Sequence, residues 1–300
     1  MGTDEYAAKH LRFLLESGVD ISLVISQPDR PKGRGKKLLP TAVKLVAQEL
    51  GVEIVQPQKL TTEVSERLKE YDLGIVVSYG KIIPQHVLDA PRLGLYNVHP
   101  SLLPRWRGAA PIQRALEAGD QKTGVTIFKL IKELDAGPIA LQRQINIGYF
   151  ETYGELSKRL IELGNEMLLE LLKLAESGDI KLKPQPSEGV TYAKKIEKDE
   201  LKIDFFEPAE KVKNKIRAFD PKPGVYAFLE DKRVKLFGVI EVFKDSLIPG
   251  NIFKIGRNGA IIGCGEGAVK VAFVQFPGKK PIRFIEAANG RLVKEGDRLK

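Results

Sequence analysis

Three polar residues have the side chains and the positions that acyl-transfer chemistry needs: Asn97, His99 and Asp135. Asn97 and His99 are two residues apart at the end of the apolar run 93–98, so in a strand both side chains point to one face of the sheet. An amide donor beside an imidazole can stabilise a tetrahedral oxyanion, and a carboxylate can accept the proton of an attacking amine or orient the imidazole. We therefore predict that these three residues are catalytic.

The neighbouring residues favour a site on loops rather than a serine or cysteine triad. Pro100 and Pro104 end the strand that carries His99, while Asp135 lies in the glycine-proline turn 133–138 on a later connection. Ser101 could be proposed as a nucleophile, but it lacks a strained glycine elbow.

The elements that must position these residues alternate between helix and strand. The periodicity predicts helices over 3–17, 41–50, 63–70, 112–118 and 153–175, and strands over 21–25, 53–55, 73–78, 123–130 and 139–145. Because the strands are apolar on both faces, we expect an α/β fold with a Rossmann-like, mostly parallel sheet covered on both sides. Ligands of such sheets bind beyond the carboxyl ends of the strands, where Asn97 and His99 fall.

A second domain follows a polar segment rich in glycine and proline at 179–190, which predicts a linker. We expect a catalytic domain over 1–178 and a second domain over 191–300. The latter has one predicted helix at 207–217 and short apolar segments at 225–229, 234–237, 252–255, 260–263 and 268–273. This pattern predicts a small open β-barrel of the oligonucleotide-binding type.

The net charge of +9 belongs entirely to residues 180–300, because residues 1–179 contain equal numbers of basic and acidic side chains. A basic domain beside a neutral one indicates a polyanionic partner, although a solvated basic surface is the plain alternative. One cysteine and three histidines predict neither a disulfide nor a metal cluster. With no apolar run long enough for a bilayer, we expect a cytoplasmic monomer without membrane contact.

A second basic feature is the segment RPKGRGKK at 30–37, which we predict to be a mobile, exposed loop that contacts phosphates. Its five basic residues, the candidate nucleic-acid contacts, are Arg30, Lys32, Arg34, Lys36 and Lys37. The glycine spacing excludes a Walker loop.

Two stretches, NVHPSLLPRWRGAAPIQRAL from Asn97 and GVTIFKLIKELDAGPI from Gly124, resemble the folate-dependent formyltransferase superfamily. QPDRPKGRGKK from Gln27, together with the basic second domain, is similar to the tRNA-specific branch of that superfamily. The resemblance implies 10-formyltetrahydrofolate as the donor substrate, with no tightly bound cofactor. It implies the α-amino group of methionine on initiator tRNA as the acceptor.

The resemblance also implies roles for individual residues. Asn97 and protonated His99 would stabilise the oxyanion formed by direct attack of the amine, with Asp135 as the proton partner. Arg34 would meet the acceptor stem of the tRNA. The residues implied to line the folate site are Ser101, Leu102, Leu103 and Pro104.

The chain departs from the family pattern at its start. The pattern begins with a hydrophobic strand and a glycine-threonine-proline turn, whereas this chain opens at Met1-Gly2-Thr3 with Asp4 in the place of the proline. A sheet without a central strand would leave backbone groups unpaired, so we expect the natural start to lie upstream.

Two other functions are compatible with parts of the pattern. A folate-dependent formyltransferase acting on an amino sugar or on glycinamide ribonucleotide would share the catalytic trio but would need no basic segment or basic barrel. A non-catalytic tRNA-binding protein on the same scaffold would need no trio. Salt-sensitive tRNA binding and a formyl-transfer assay separate the three.

Overall fold

The structure is a computed structural model that describes residues 1–32 and 37–300. It divides into two compact units. Unit 1 comprises Met1–Gly108, Gly124–Gln144 and Arg159–Tyr192, and unit 2 comprises Ala109–Thr123, Ile145–Lys158 and Ala193–Lys300. Among the described helices, none combines the length and the apolar character needed to cross a bilayer.

The elements alternate along the first half of the chain as predicted. The helices are α1 (Glu5–Glu16), α2 (Ala42–Glu49), α3 (Thr62–Leu68), α4 (Gln85–Leu88), α5 (Pro111–Ala118), α6 (Tyr153–Ser177), α7 (Ala209–Ala218) and α8 (Phe284–Asn289), with a 3-10 turn at Asp199–Leu201. The strands are β1 (Leu23–Ile25), β2 (Arg30–Lys32), β3 (Lys37–Leu39), β4 (Glu53–Val55), β5 (Gly74–Val76), β6 (Leu95–His99), β7 (Arg107–Gly108), β8 (Lys122–Lys129), β9 (Ile139–Asn146), β10 (Tyr192–Ala193), β11 (Val225–Leu229), β12 (Lys232–Phe243), β13 (Ile252–Gly256), β14 (Gly259–Gly263), β15 (Ala268–Gln275) and β16 (Ile282–Arg283).

The sheet of unit 1 carries the parallel pairs that the sequence predicts. β1 pairs in parallel with β4, and β5 pairs in parallel with β6, which is antiparallel to β8. Met1 and Gly2 lie between these two groups of strands, because the amide of Gly2 donates to the carbonyl of Ile25 at 3.0 Å and the amide of Val77 donates to the carbonyl of Met1 at 2.9 Å. Two residues thus join β1 to β5.

Capping and burial explain the helices of unit 1. Asp4 caps α1, with its carboxylate accepting from the amide of Ala7 at 3.0 Å, and the hydroxyl of Thr41 caps α2 by accepting from the amide of Lys44. Side chains of β1, β5, β6, α3 and α4, with two residues that follow β5 and α4, form one buried cluster. It consists of Ile25, Leu68, Val76, Tyr79, Val87, Leu88, Ala90 and Leu95. Burial of these side chains supplies most of the stabilisation of such a cluster.

Unit 2 is built on an antiparallel sheet in the order β11-β12-β15-β14-β13, with β16 added against β15. These are the five strands that the sequence predicts. β12 is longer than predicted and continues through a register shift between Val239 and Glu241, a bulge that bends the strand. α8, whose Phe284 is fully buried, was not predicted from the sequence.

Residues at the end of the chain connect the two outer strands of this sheet. The amide of Phe228 in β11 donates to the carbonyl of Lys300 at 2.7 Å, and the amide of Lys300 donates back at 2.8 Å. On the other side, the amide of Leu299 donates to the carbonyl of Gly250, just before β13, at 2.8 Å. Backbone hydrogen bonds therefore run around the whole barrel.

The prediction of a loop over 30–37 requires a correction. β2 and β3 pair in antiparallel register, with Arg30 opposite Leu39, so the two flanks of the segment form a hairpin. A hairpin satisfies backbone donors and acceptors, which a pattern of side-chain charge does not reveal. The glycine-rich centre, residues 33–36, lies outside the described residues.

A histidine in the core of unit 1 makes the stability of the protein dependent on pH. His10 on α1 is buried, with Nδ1 2.6 Å from Oδ1 of Asn165 and with Nε2 unpaired among the described groups. Burial lowers the pKa of His10 to about 4, and the hydrogen bond to Asn165 offsets this only in part.

We predict that the free energy of unfolding falls as the pH is lowered from about 6.5 to about 4. In that window the unfolded chain binds a proton at His10 that the folded protein excludes. The difference in the pKa of His10 between the two states corresponds to a loss of roughly 3 kcal/mol in the free energy of unfolding. Urea unfolding at a series of pH values should show a flatter profile for His10→Leu than for the parent. The exposed His86 provides the control, because His86→Leu should leave the profile unchanged. Parallel profiles for the parent and His10→Leu would contradict the prediction.

Candidate active site

The strand β6 presents Asn97 and His99 as predicted, at alternate positions and hence on the same face of the sheet. Asn97 is half-buried and opposite Phe128 of β8, and its side chain makes no hydrogen bond to a described residue. His99 is 4% exposed, and its ring lies edge-on to Phe128. The side-chain amide of Asn97 is thus available to hydrogen-bond a ligand next to the buried imidazole of His99.

The orientation of the imidazole follows from one backbone contact. Nε2 of His99 lies 2.8 Å from the carbonyl oxygen of Trp106. A carbonyl only accepts, so Nε2 carries a hydrogen and donates it. Trp106 has a φ of +66°, a left-handed conformation that is uncommon for a residue with a large side chain, and this conformation accompanies the contact. Nδ1 is therefore the nitrogen left for chemistry.

The structure brings Asp135 to that nitrogen. Oδ2 of Asp135 lies 3.8 Å from Nδ1 of His99, which is longer than a hydrogen bond and leaves the contact to charge or to a bridging molecule. The same oxygen accepts from the amide of Gly108 at 2.7 Å. Asp135, with a φ of +47°, is held at the turn between β8 and β9. The predicted proton partner thus reaches the histidine from another loop.

Two polar side chains, Thr126 of β8 and Gln142 of β9, hold the segment 101–104 through hydrogen bonds. The hydroxyl of Thr126 donates to the carbonyl of Ser101 at 2.7 Å and accepts from the amide of Leu103 at 3.2 Å. Nε2 of Gln142 donates both to the carbonyl of Leu103, at 2.9 Å, and to Thr126. Ser101 and Leu103 are buried, whereas Leu102 and Pro104 are half-exposed. The backbone of this segment is therefore held in one shape.

Of the five basic residues predicted at 30–37, the structure describes one side chain, that of Arg30. It is exposed, and its Nη2 donates to Oε1 of Gln27 at 2.6 Å. Gln27 in turn donates to the carbonyl of Tyr79, after β5. Lys32 and Lys37 belong to the hairpin strands, and Arg34 and Lys36 lie outside the described residues.

Sequence reasoning missed three groups that hold the loops around His99 and Asp135. These are the amide of Gly108, the side-chain amide of Gln185 and the hydroxyl of Thr191. Gly108 acts through its backbone, which residue type does not disclose, and the other two groups lie 48 to 85 residues from their partners in the chain. Gln185 falls in the predicted linker and Thr191 at the predicted start of the second domain, and neither position indicates a role at the site.

Known proteins match both parts of this chain. A family model described as formyl transferase matches residues 2–172, and one described as its C-terminal domain matches residues 195–292. The methionyl-tRNA formyltransferase of Thermotoga neapolitana is 53% identical over 302 residues, which cover 100% of this chain and 96% of the relative.

Two solved structures share the fold. HypX from Aquifex aeolicus in complex with tetrahydrofolic acid has a TM-score of 0.61 at 21% identity, covering 84% of this chain and 47% of HypX. The N-formyltransferase from Helicobacter canadensis, in complex with folinic acid and dTDP-3-aminofucose, has a TM-score of 0.67 at 18% identity, with 90% and 96% coverage.

We predict that Thr126→Val lowers the free energy of unfolding by about 1–3 kcal/mol, because a buried amide and carbonyl lose their partner while the side-chain shape is kept. Thr123 is the matched control. It is buried on the same strand, and its hydroxyl bonds no described residue, so Thr123→Val should cost much less. Chemical denaturation of the two variants provides the measurement. Equal losses would show that the Thr126 hydrogen bonds do not stabilise the segment 101–104.

Proposed function

Since this chain belongs to the formyl transferase family, we propose that it transfers the formyl group of 10-formyltetrahydrofolate to the amino group of methionine on initiator tRNA. The observation that carries the proposal is the 53% identity to a methionyl-tRNA formyltransferase along the full chain, second domain included. The less similar sugar formyltransferase shows the fold alone. The likeness to a protein that binds tetrahydrofolic acid supports a folate donor.

The chemistry assigns one role to each member of the trio. The methionyl amine attacks the formyl carbon, a new N–C bond forms, and the negative oxygen of the tetrahedral intermediate accepts hydrogen bonds from Asn97 and protonated His99. The bond to the folate nitrogen then breaks, and this nitrogen takes a proton from Nδ1 of His99. Asp135 collects the amine proton through water. The 3.8 Å separation of Asp135 and His99 supports a bridged contact.

The folate site is proposed at the segment 101–104. Its half-exposed members, Leu102 and Pro104, offer apolar surface, while the buried Ser101 and Leu103 fix the shape of the segment. Pockets for planar ligands combine such apolar surface with a few placed polar groups.

Recognition of tRNA is proposed for the basic segment 30–37 and for a domain over 191–300, joined to a catalytic domain over 1–178. Within unit 2, two aromatic rings of β11 lie beside cations. The guanidinium of Arg233 in β12 lies 3.6 Å from the ring centre of Tyr226, and Nζ of Lys202, after the 3-10 turn, lies 5.7 Å from that of Phe228. Rings and cations on one face suit an RNA backbone and its unpaired bases.

We predict that His99→Ala and Asn97→Ala each lower kcat for formylation by about 100- to 1,000-fold, the usual effect of removing an oxyanion donor or a general acid. The assay supplies 10-formyltetrahydrofolate and charged initiator tRNA, with uncharged tRNA as the blank. His86→Ala, at an exposed histidine, should keep the parental kcat. Near-normal turnover by His99→Ala would overturn the assignment, and formylation of an amino sugar in place of the tRNA would overturn the acceptor.

We predict that Arg34→Ala raises KM for the tRNA and reduces the dependence of binding on salt, because one phosphate contact fewer lowers the slope of log K against log salt by about 1. The control is Arg67→Ala, since the guanidinium of Arg67 is already paired with Glu53. Filter-binding titrations at several salt concentrations provide the measurement. An unchanged slope for Arg34→Ala would remove this residue from the tRNA site.

A further inference from the structure

The segment 183–191, which the sequence divides between the predicted linker and the first residue of the second domain, contacts the turn that carries Asp135 and the loop that follows His99. It begins with a two-way backbone bridge between Lys183 and Ile139, at 2.7 and 2.9 Å. It ends at Thr191 beside Trp106. We call residues 183–191 the clamp segment, and all of its contacts described below lie within unit 1.

Gln185 ties the Asp135 turn to the loop after His99. Its Nε2 donates to the carbonyls of Asp135, at 2.8 Å, and Gly137, at 2.9 Å. Its Oε1 accepts from Nη2 of Arg107 at 2.7 Å and from Nε at 3.2 Å. Both ends of one side-chain amide are therefore used, and the two loops are linked a second time beside the bond from Gly108 to Asp135.

Thr191 holds the residue that orients His99. Its hydroxyl accepts from the amide of Trp106 at 2.9 Å, and its carbonyl accepts from the amide of Arg107 at 2.9 Å. These two bonds fix the peptide groups on either side of Trp106, whose left-handed conformation needs support from its surroundings. The carbonyl of Trp106 then accepts the Nε2 hydrogen of His99.

We propose that Thr191 and Gln185 are positioning residues for formyl transfer: Thr191 acts on His99 through Trp106, and Gln185 acts on Asp135 through its backbone. Neither side chain bonds a reacting atom of the trio, so neither is catalytic. The inference rests on the proposed function for its assay. Its structural part, that Thr191 sets which nitrogen of His99 carries the hydrogen, is measurable without substrate.

The first experiment removes only the hydroxyl of Thr191. Long-range proton-nitrogen NMR spectra are recorded at a pH where the ring is neutral; there His99 of the parent should carry its hydrogen on Nε2, with the signal assigned by its loss in His99→Ala. Thr191→Val should shift the signal or give a mixture of the two tautomers, whereas Thr191→Ser should keep the parental form. Thr61→Val removes a hydroxyl that caps nothing on α3, and it provides the control.

The second experiment follows turnover of the same variants with methionyl-tRNA. Thr191→Val should lower kcat by about 10- to 100-fold, the scale of a small misplacement of a reacting group, with KM for both substrates within about twofold of the parent. Thr191→Ser should restore kcat. Gln185→Met should lower kcat as well but leave the His99 tautomer unchanged. Thermal unfolding of each variant checks that it is folded.

Separate outcomes overturn the two proposals. No product from the parent protein would overturn the proposed function, while the NMR comparison would still decide the role of Thr191. An active parent with equal kcat and an equal tautomer in Thr191→Val would overturn the positioning role. The positioning role of Thr191 would also be overturned if Thr191→Ser lost as much kcat as Thr191→Val, or if Thr191→Val raised only KM for the tRNA. A parental kcat in Gln185→Met would overturn the part that concerns Asp135.

Discussion

The hydrogen bond from Nε2 of His99 to the carbonyl of Trp106 is the contact on which the site depends. It assigns the two ring nitrogens to different tasks, one structural and one facing Asp135. The contact requires an unfavourable backbone conformation at Trp106, which is tolerated because neighbouring peptide groups are bonded to Thr191. The clamp segment thus keeps one carbonyl in place by bonding the peptide groups on both sides of Trp106.

Most of the fold could be predicted because the hydrophobic periodicity and the residues that begin and end elements indicate the same helices and strands. Pro111 begins α5 and Gly119, with a φ of +77°, ends it, so the helix bounds are encoded locally. The paired strands β2 and β3 could not be predicted in this way, because their ladder lies in a charged, exposed segment without alternation. The path of Met1 and Gly2 between β1 and β5 is equally a property of tertiary pairing, and two residues are too few for any periodic signal.

In the candidate site, too, residues with a local signal in the sequence could be predicted, whereas residues that act through distant contacts could not. Asn97 and His99 were accessible to sequence reasoning because a strand of period two fixes their common face. Asp135 was accessible because its turn has a clear composition, although only the fold shows which oxygen faces the histidine. Gln185 and Thr191 were not accessible, since their partners are backbone atoms far away in the chain. Residue type identifies groups that react, and it is nearly silent about groups that hold a peptide in place.

The closure of the barrel by residues 299 and 300 has a consequence for association between chains. Lys300 pairs with β11 and Leu299 pairs with Gly250, just before β13, so neither edge offers a free row of backbone donors and acceptors at these positions. Exposed strand edges are templates for pairing with a second chain. Without residues 299 and 300 the edges of β11 and β13 would be open to such pairing, so these two residues protect the barrel against aggregation.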